Sequence, residues 1–253
     1  MSAAGAVLLE AVDVRKRFGG VQALAGVTLA VAAREIVGLI GPNGAGKTTL
    51  FHVLSGFAAP DGGEVRLEGR PTTGLPPHEI CRRGLARTFQ IVRPFRGLSV
   101  LENVRVAALV RVSRAAVATR RAREILARVE LADRAEQPAA ALTLGDRKRL
   151  ELARALATEP RLLLLDEVMA GLTPVETDRM VALVRRIHAD GVAILLIEHV
   201  MRAVMALSHR VLVLSQGQVI AEGPPAAIAG DPRVIAAYLG EAYVPEAPEP
   251  GPC

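Results

Sequence analysis

The sequence has few of the residues that build disulfide frameworks or aromatic binding platforms. Its 253 residues include two cysteines, five phenylalanines, two tyrosines and no tryptophan. Cys81 and Cys253 are far apart and lack metal-ligand spacing, so we expect neither a disulfide framework nor a zinc site, with a reducing cytosol as the default. The shortage of aromatic rings argues against a stacking platform for single-stranded nucleic acid.

Long apolar runs are also absent. The longest candidates, residues 162–165 and 192–197, are far shorter than the roughly 18 residues of a membrane-spanning helix, and they predict buried strands. The apolar stretch 3–9 has no basic segment ahead of it and no clear cleavage site, so we expect no signal peptide. The 51% hydrophobic content is enough for one large domain, or for a core with an inserted lobe.

Lysine is rare, and almost all of the positive charge is arginine. Only Lys16, Lys47 and Lys148 occur, in a chain with net charge +5 and a pI of about 9.8. This balance fits a chain that lies near anionic lipid or nucleic acid, or an arginine-rich composition spread over a solvated surface. No run of five or more like charges occurs, which favours the second interpretation.

What is present begins with residues 41–48, which match the phosphate-binding pattern G-x-x-x-x-G-K-[ST]. An apolar run typical of a buried strand precedes it, and a helical segment follows it. Backbone N–H groups of such a loop can converge on phosphate oxygens, helped by the helix N-terminus. Lys47 would reach the β- and γ-phosphates, and Thr48 would place a hydroxyl on Mg²⁺. The predicted nucleotide-binding residues here are Gly41, Pro42, Asn43, Gly44, Ala45, Gly46, Lys47, Thr48 and Thr49.

Two other strand ends carry polar side chains suited to phosphate chemistry. The run 162–165 ends in Asp166 and Glu167, and the run 193–197 is followed by Glu198 and His199. Ligand sites in open α/β sheets lie beyond the carboxyl ends of strands. Asp166 would hold the metal through a water, and Glu167 would be the general base that polarises an attacking water. His199 would contact the γ-phosphate and keep that water and Glu167 in register.

Hydropathy patterns organise the rest of the chain around these motifs. Segments 8–14, 27–31 and 64–68 alternate like strands of an antiparallel sheet beside the core. A capping box, Ser99 to Glu102, predicts a helix from about residue 100, and 100–135 is mostly helical in pattern. The arginines of this region could face lipid headgroups, but a solvated helical face is the favoured interpretation; they are Arg111, Arg114, Arg120, Arg121, Arg123 and Arg128.

The second half alternates strands with helices, which implies a parallel sheet with crossover helices. We therefore predict an α/β fold: a P-loop NTPase core with a mostly parallel sheet, a flanking antiparallel β subdomain and an inserted α-helical subdomain. The single domain would span 1–243, with its core at about 1–86 and 157–225. The helical insert would span about 87–156, a C-terminal helix about 226–240, and a disordered Pro-rich tail 244–253.

Taken together, these motifs resemble the ATP-binding subunits of ABC transporters over roughly residues 7–240. The resemblance implies ATP and Mg²⁺ as cofactors. It makes Gln90, in Thr88-Phe89-Gln90, a Mg²⁺ contact that reports to the membrane partner, and it makes Phe18 the aromatic ring that stacks on adenine. Residues 142–146 stand in the place of the LSGGQ signature, so Thr143, Leu144, Gly145 and Asp146 would contact nucleotide. The helix that follows is expected from Gly145-Asp146 through residue 156.

Several residues depart from the family pattern. Thr143 keeps the hydroxyl of the signature serine, Leu144 replaces a glycine and narrows the backbone approach, and Asp146 replaces glutamine. An acid in the first turn of a helix is favoured by the dipole, but near ATP its charge would lower affinity by repulsion. Thr173 replaces the aspartate of the D-loop, which leaves the usual contact across the dimer open.

The resemblance also implies a mechanism and partners. Two chains, identical or paralogous, would face each other head to tail, with each ATP between one chain's phosphate loop and the other's signature helix. ATP binding would close the dimer, and hydrolysis would reopen it. The cycle would drive separate membrane permease subunits through a groove near Gln90, and indirectly a solute-binding protein. The chain would lie on the cytoplasmic face of the inner membrane as a peripheral subunit, and no nucleic acid is expected.

Residues 84–104 and 230–240 further resemble the ATPases of branched-chain amino-acid importers, in particular the LivG type of the two ATPases in such systems. Three alternatives remain at this point. An ATPase for lipid or lipopolysaccharide export shares this size and layout. A soluble ABC ATPase acting on nucleic acid or ribosomes would usually carry two nucleotide domains or long insertions. A P-loop kinase or GTPase gives no reason for the signature helix and His199.

Overall fold

The computed structural model describes residues 6–239, so the predicted tail at 244–253 and Cys253 lie outside the described part of the chain. Its elements, in chain order, are β1 (Val7–Phe18), β2 (Val21–Ala32), β3 (Ile36–Ile40), α1 (Lys47–Leu54), β4 (Gly62–Leu67), β5 (Arg70–Pro71), α2 (Pro77–Arg82), β6 (Leu85–Arg87), α3 (Val100–Ala108), α4 (Ala115–Arg128), α5 (Leu144–Leu156), β7 (Leu162–Asp166), α6 (Pro174–Ala189), β8 (Ala193–Ile197), α7 (Met201–Leu207), β9 (Arg210–Ser215), β10 (Gln218–Gly223), α8 (Pro225–Ala229) and α9 (Pro232–Leu239).

A six-stranded sheet forms the centre of the molecule, in the order β10-β9-β3-β8-β7-β6. Its strands are parallel except for β10, which pairs antiparallel with β9. The carboxyl ends of β3, β7 and β8 therefore meet at one edge. This confirms the predicted mostly parallel core, and it places the three chemistry-bearing motifs together.

Both faces of this sheet are covered, as expected for a parallel sheet. Along β7, Leu163 and Leu165 belong to a core shared with the helices, whereas Leu162 and Leu164 belong to a second core shared with the antiparallel sheet. The period-two geometry of a strand explains the alternation. The sheet therefore lies between two hydrophobic cores, and the edge that carries the loops is held between them.

The antiparallel sheet has the order β2-β1-β4-β5, which confirms the predicted flanking subdomain. β1 and β2 are longer than the alternating segments suggested, at 12 residues each. Their pairing is interrupted by register shifts, for example between Ala11 and Val14. Bulges of this kind break the apolar alternation on which the sequence-based prediction depended.

The helical lobe contains α3, α4 and α5. The capping box at Ser99 and Glu102 is formed, and α3 begins at Val100 as predicted. α5 begins at Leu144, one residue earlier than predicted, because Thr143 caps it. Within residues 6–239, no helix is both long enough and apolar enough to cross a bilayer.

Some elements were not predicted. β6 has only three residues, too few for a hydropathy period to be visible, and α2 and β10 also went unnoticed. Where one C-terminal helix was predicted, the structure has α8 and α9, separated at residues 230–231. Pro232 opens α9; because proline lacks an N–H and restrains the residue before it, a continuous helix breaks there.

Candidate nucleotide-binding and catalytic site

The loop at residues 41–48 joins β3 to α1, as the motif predicted. Gly41 and Gly46 both have positive φ, 151° and 104°. A Cβ at Gly41 would lie 2.0 Å from the carbonyl oxygen of Leu214, and one at Gly46 would lie 2.4 Å from that of Ala23. Only glycine fits these two positions. The loop is therefore held tightly against two strands, with its backbone turned toward the sheet edge.

Lys47 is buried at the start of α1. Its ammonium donates to the carbonyl oxygens of Gly41, at 2.6 Å, and Pro42, at 2.9 Å. Burial lowers its pKa, and the nearby carboxylates of Glu167 and Asp166 oppose that shift. The ammonium thus folds back over its own loop, beside the carboxylates, at the place where phosphate oxygens would be bound.

Gln90, Glu167 and His199 converge, although they follow three different strands. The Glu167 carboxylate accepts a hydrogen bond from Gln90 Nε2 at 2.7 Å and lies 2.9 Å from His199 Nε2. Its side chain is 15% exposed, so it reaches water at the sheet edge. A partly exposed carboxylate held on both oxygens is suited to orient and deprotonate a water molecule.

Asp166 is buried at the end of β7. One carboxylate oxygen accepts from Arg87 at 2.7 Å, and the other is buried without a hydrogen-bond partner among residues 6–239. An unpartnered buried carboxylate oxygen, the Thr48 hydroxyl and the Gln90 amide oxygen are the hard donors that Mg²⁺ prefers. Among the described residues, no group of three or more His, Cys, Asp or Glu side chains is placed so that it could hold a metal ion.

Arg87 was missed by the sequence analysis. Its guanidinium lies 5.2 Å from the ring centroid of Phe89, 5.6 Å from that of Phe51 and 5.9 Å from that of Phe57, while it pairs with Asp166. Sequence offers no local signal for this role, because the partners lie on separate elements. Arg87 connects the Asp166 carboxylate to three aromatic rings, one of which, Phe89, directly precedes Gln90.

Phe18 lies at the end of β1 and is 52% exposed. The Lys16 ammonium lies 5.5 Å from its ring centroid. The exposed ring is available to stack on a flat ligand, and adenine is the ligand expected from the sequence.

The signature segment, residues 142–146, lies at the start of α5. Thr143 caps this helix, and its hydroxyl accepts from the Asp146 N–H at 3.2 Å. Leu144 is exposed and Gly145 is buried. A Cβ at Gly145 would lie 2.8 Å from a carboxylate oxygen of Glu176, so α6 limits what can stand at this position.

Asp146 differs from the expectation of a negative charge facing ATP. It is 2% exposed, and its carboxylate forms ion pairs with Arg134 and Arg149. The negative charge at this position is therefore compensated by two arginines, and the expectation that it repels ATP is wrong.

Thr173, in the place of the D-loop aspartate, caps α6. Its hydroxyl and backbone form a capping box with Glu176. The replacement of aspartate by threonine therefore keeps a good helix cap, whatever contact is made across a dimer.

Two further contacts at this edge have no sequence signal. The Tyr238 hydroxyl, on α9, accepts a hydrogen bond from the Gly41 N–H at 2.8 Å. Glu198, beside His199, accepts from the Met169 N–H at 2.9 Å, and burial raises its pKa to about 7. Both join the phosphate loop or the His199 segment to distant parts of the chain.

A concave groove of about 400 Å³ lies beside the Gln90 segment, between the core and the helical lobe. Glu151 of α5 lies in its wall, accepts from the Phe89 N–H at 2.5 Å, and has a pKa raised to about 7 by burial. The rim carries exposed apolar side chains, namely Phe57, Phe89, Phe95, Val106 and Val110. Large exposed apolar patches are uncommon on the surfaces of monomeric proteins.

Comparisons with known proteins agree with this geometry. A sequence model of the ABC transporter family matches residues 24–170, and one described as branched-chain amino acid ATP-binding cassette transporter matches residues 218–244. The second match includes Tyr238 and all of β10.

Individual relatives match over nearly their whole length. The high-affinity branched-chain amino acid transport ATP-binding protein BraF of Pseudomonas aeruginosa is 43% identical over 93% of this chain and 98% of its own. The corresponding LivG protein of Salmonella typhimurium is 45% identical over 89% and 95%.

Solved structures show the same fold. A nucleotide-free ATP-binding cassette from an ABC transporter superposes with a TM-score of 0.85 at 30% identity, covering 92% of this chain and 99% of the other. A dimeric ATP-binding cassette in a post-hydrolysis state, bound to ADP and phosphate, superposes with a TM-score of 0.78 at 25% identity, covering 86% and 99%.

Proposed function

The chain belongs to the ABC transporter ATP-binding family, and from that premise we propose that it is the ATP-hydrolysing subunit of an importer for branched-chain amino acids. Members of this family bind nucleotide and hydrolyse ATP, and this chain is such an ATPase. One observation supports the catalytic assignment above all others. Gln90 and His199 meet the two oxygens of Glu167 beside the phosphate loop.

In this proposal each element of the site has one task. The loop 41–48, with Lys47 and Thr49, binds the phosphates, and Phe18 stacks on the adenine ring. Glu167 takes a proton from the attacking water. His199 holds Glu167 and the water in register, since its Nε2 already lies 2.9 Å from that carboxylate.

The residues present fit a magnesium ion. Thr48, Asp166 and Gln90 would hold it, Asp166 with the oxygen that has no partner among the described residues. When bound, the ion neutralises charge on the phosphate oxygens. Arg87 keeps the other Asp166 oxygen occupied and so fixes the orientation of the carboxylate.

In this proposal, the signature segment of each chain takes part in the dimer interface. Thr143, Leu144, Gly145 and Asp146 lie at a helix start and would bind the γ-phosphate held by the partner's phosphate loop, chiefly through backbone N–H groups. The ATP-binding cassette solved as a dimer with ADP and phosphate supports this arrangement. ATP then joins the two chains, and hydrolysis separates them.

The groove beside Gln90 is proposed as the permease-binding surface. Its exposed apolar rim suits a helical segment of a membrane subunit. Glu151 of α5 accepts a hydrogen bond from the Phe89 N–H in this groove. A partner bound in the groove would therefore affect the position of the helix that begins at the signature segment. The chain would then be peripheral, on the cytoplasmic face of the inner membrane, and would be linked only indirectly to a solute-binding protein.

The family match at residues 218–244 and the names of the BraF and LivG relatives support branched-chain amino acids as the cargo. The ATPase itself would not touch the cargo. Affinity purification of the full chain from gently solubilised host membranes, followed by mass spectrometry, tests this. Recovery of permease subunits and a solute-binding protein supports import; recovery of ribosomal proteins alone contradicts it.

Replacing Glu167 tests the catalytic assignment. Glu167→Gln should lower kcat by about 100-fold or more, because a general base typically contributes 10²- to 10⁴-fold. ATP-bound dimers should accumulate, as seen by size-exclusion chromatography with light scattering. Near-normal ATPase activity would remove Glu167 from the role of base.

A further inference from the structure

Lys148 is a buried cation that the proposed mechanism does not use. It lies in the second turn of α5, is 4% exposed, and is one of only three lysines in the chain. Its ammonium donates to the backbone carbonyl oxygen of Glu167 at 2.7 Å. A charge-assisted hydrogen bond of this length is stronger than one between neutral groups.

The peptide that Lys148 holds is under strain. Glu167 has a φ of 49°, in the left-handed region that is sterically unfavourable for a non-glycine residue. Such a conformation persists only where the surroundings fix it. Here the N–H of Glu167 donates to Ile197 at 2.9 Å, while its carbonyl accepts from Lys148 and from the Ala170 N–H at 3.2 Å.

The surroundings of the ammonium explain why it can be buried. Burial lowers the pKa of Lys148, and the carboxylates around it oppose that shift, in decreasing order Glu151, Glu198, Glu167 and Asp166. The first two are themselves buried and have pKa values raised to about 7. Lys148 therefore lies among the acids that line the catalytic edge, as a buried cation contributed by α5.

The position of Lys148 within α5 connects Glu167 to the signature segment. The same helix begins at the signature segment, which in the proposed function contacts the ATP of the partner chain. Gly145 and Lys148 are three residues apart, so they lie on one face of the helix. Any shift of α5 relative to the core moves the ammonium, and with it the peptide that aims the Glu167 carboxylate.

We propose that Lys148 is a positioning residue that fixes the strained Glu167 peptide and transmits the position of the signature helix to the catalytic base of the same chain. The inference rests on the proposed role of Glu167. It assigns to α5 a second link to catalysis, within one chain, beside the contact it would make with the partner's nucleotide.

The test measures steady-state ATPase activity and nucleotide affinity of the full-length chain. Lys148→Met, similar in length but without a donor, should lower kcat about 10- to 100-fold, the effect of displacing a catalytic group by roughly 1 Å. The Kd for ATP should stay within about 2-fold of the parent value, since the Lys148 ammonium bonds to Glu167 and not to the phosphate loop. Lys148→Arg, which keeps charge and donor, should recover at least about a third of kcat.

A double-mutant cycle separates positioning from stabilisation. In the Glu167→Gln background, adding Lys148→Met should change the residual rate by less than about 2-fold, because the group it positions is already gone. Arg120→Met, which removes a 72% exposed cation from the same lobe, is the matched control and should change nothing. If Lys148→Met does not fold by circular dichroism, Lys148→Gln replaces it.

Several results would overturn the inference. They are an unchanged kcat in Lys148→Met, a higher KM with unchanged kcat, no recovery with Lys148→Arg, or an equal loss with and without Glu167. The failure of the proposed function has a different signature. If Glu167→Gln alone keeps near-normal activity, the base assignment is wrong; if that variant is inactive while Lys148→Met is normal, only the positioning role is wrong.

Discussion

The phosphate loop and the signature segment are both loops that open a helix, yet they leave the helix N-terminus in different states. The N-cap residue of α1 is Gly46, which provides no side-chain cap, and the first turn of α1 has no acid. The N-cap residue of α5 is Thr143, whose hydroxyl already accepts an N–H, and the first turn of α5 carries Asp146. The first end is open to an anion, while the second is partly satisfied by its own chain.

The two regions also differ in what holds them. The phosphate loop is fixed by glycine backbone packed against strands, and within residues 6–239 its cation, Lys47, donates only to carbonyls of that loop. The signature segment is fixed by side chains from elsewhere, with Asp146 paired to Arg134 and Arg149. A chain so built should bind its own ATP firmly and its partner's ATP more weakly, which suits a dimer that must reopen.

The largest expected effect comes from removing the cation of the phosphate loop. Lys47→Ala should weaken ATP binding to the isolated chain by about 100-fold, since charge-assisted contacts to phosphate are lost. Thr143→Ala should leave that affinity within about 2-fold, because the signature segment would act on the partner's nucleotide. Equilibrium titration with a fluorescent ATP analogue measures both. Equal losses in the two variants would break the comparison.

A smaller effect is expected from the ion pairs of the signature segment. Asp146→Asn should lower the free energy of unfolding by on the order of 1 to 3 kcal/mol, because a buried carboxylate bonded to two guanidinium groups is lost. ATP affinity of the isolated chain should not change. Urea unfolding measures the first quantity, and the titration above measures the second.

The matched control for that variant is an exposed pair. Asp178 pairs with Arg202, and each side chain is 62% exposed. Asp178→Asn should change the free energy of unfolding by less than about 0.5 kcal/mol. An Asp146→Asn variant that binds ATP more tightly, with unchanged stability, would instead restore the idea of a repulsive charge facing nucleotide.

The smallest effect is expected from pH. Burial raises the pKa of Glu151, on α5, to about 7. Since this folded-state pKa lies above the value in the unfolded chain, the group contributes stability that is present at low pH and is lost as pH rises through about 7. Glu151→Gln should therefore flatten the decline in unfolding free energy between about pH 5 and 8, by on the order of 1 kcal/mol.

Urea unfolding at several pH values measures this slope. Glu124→Gln, with a side chain 64% exposed on α4, is the control and should leave the slope as it is. A Glu151→Gln variant with the same slope as the parent would mean that groups other than Glu151 carry the pH dependence.

Sequence reasoning was most successful where the chemistry is local. The loop 41–48 and the acids after β7 carry their meaning in consecutive residues, and the parallel order of strands brings His199 to them. It could not find Arg87, because that role depends on residues from four separate segments. β6 was missed because three residues show no period.

The same limit explains the contacts of Lys148 and Tyr238. Lys148 meets Glu167 across 19 residues, and Tyr238 meets Gly41 across 197. No spacing rule links such pairs, and only the packing of elements brings them together. Asp146 was misjudged for the same reason: its partner Arg149 is local, but the burial that turns the carboxylate inward comes from the whole lobe.

The left-handed backbone of Glu167 affects which substitutions at this position would stabilise the chain. Glycine or asparagine adopts that conformation more readily than glutamate. A lineage released from the need for turnover would gain stability by replacing the glutamate, so loss of catalysis and gain of robustness would arrive in the same substitution. The strain at this position is therefore a cost that the proposed role of Glu167 as catalytic base would account for, and the sequence here has glutamate.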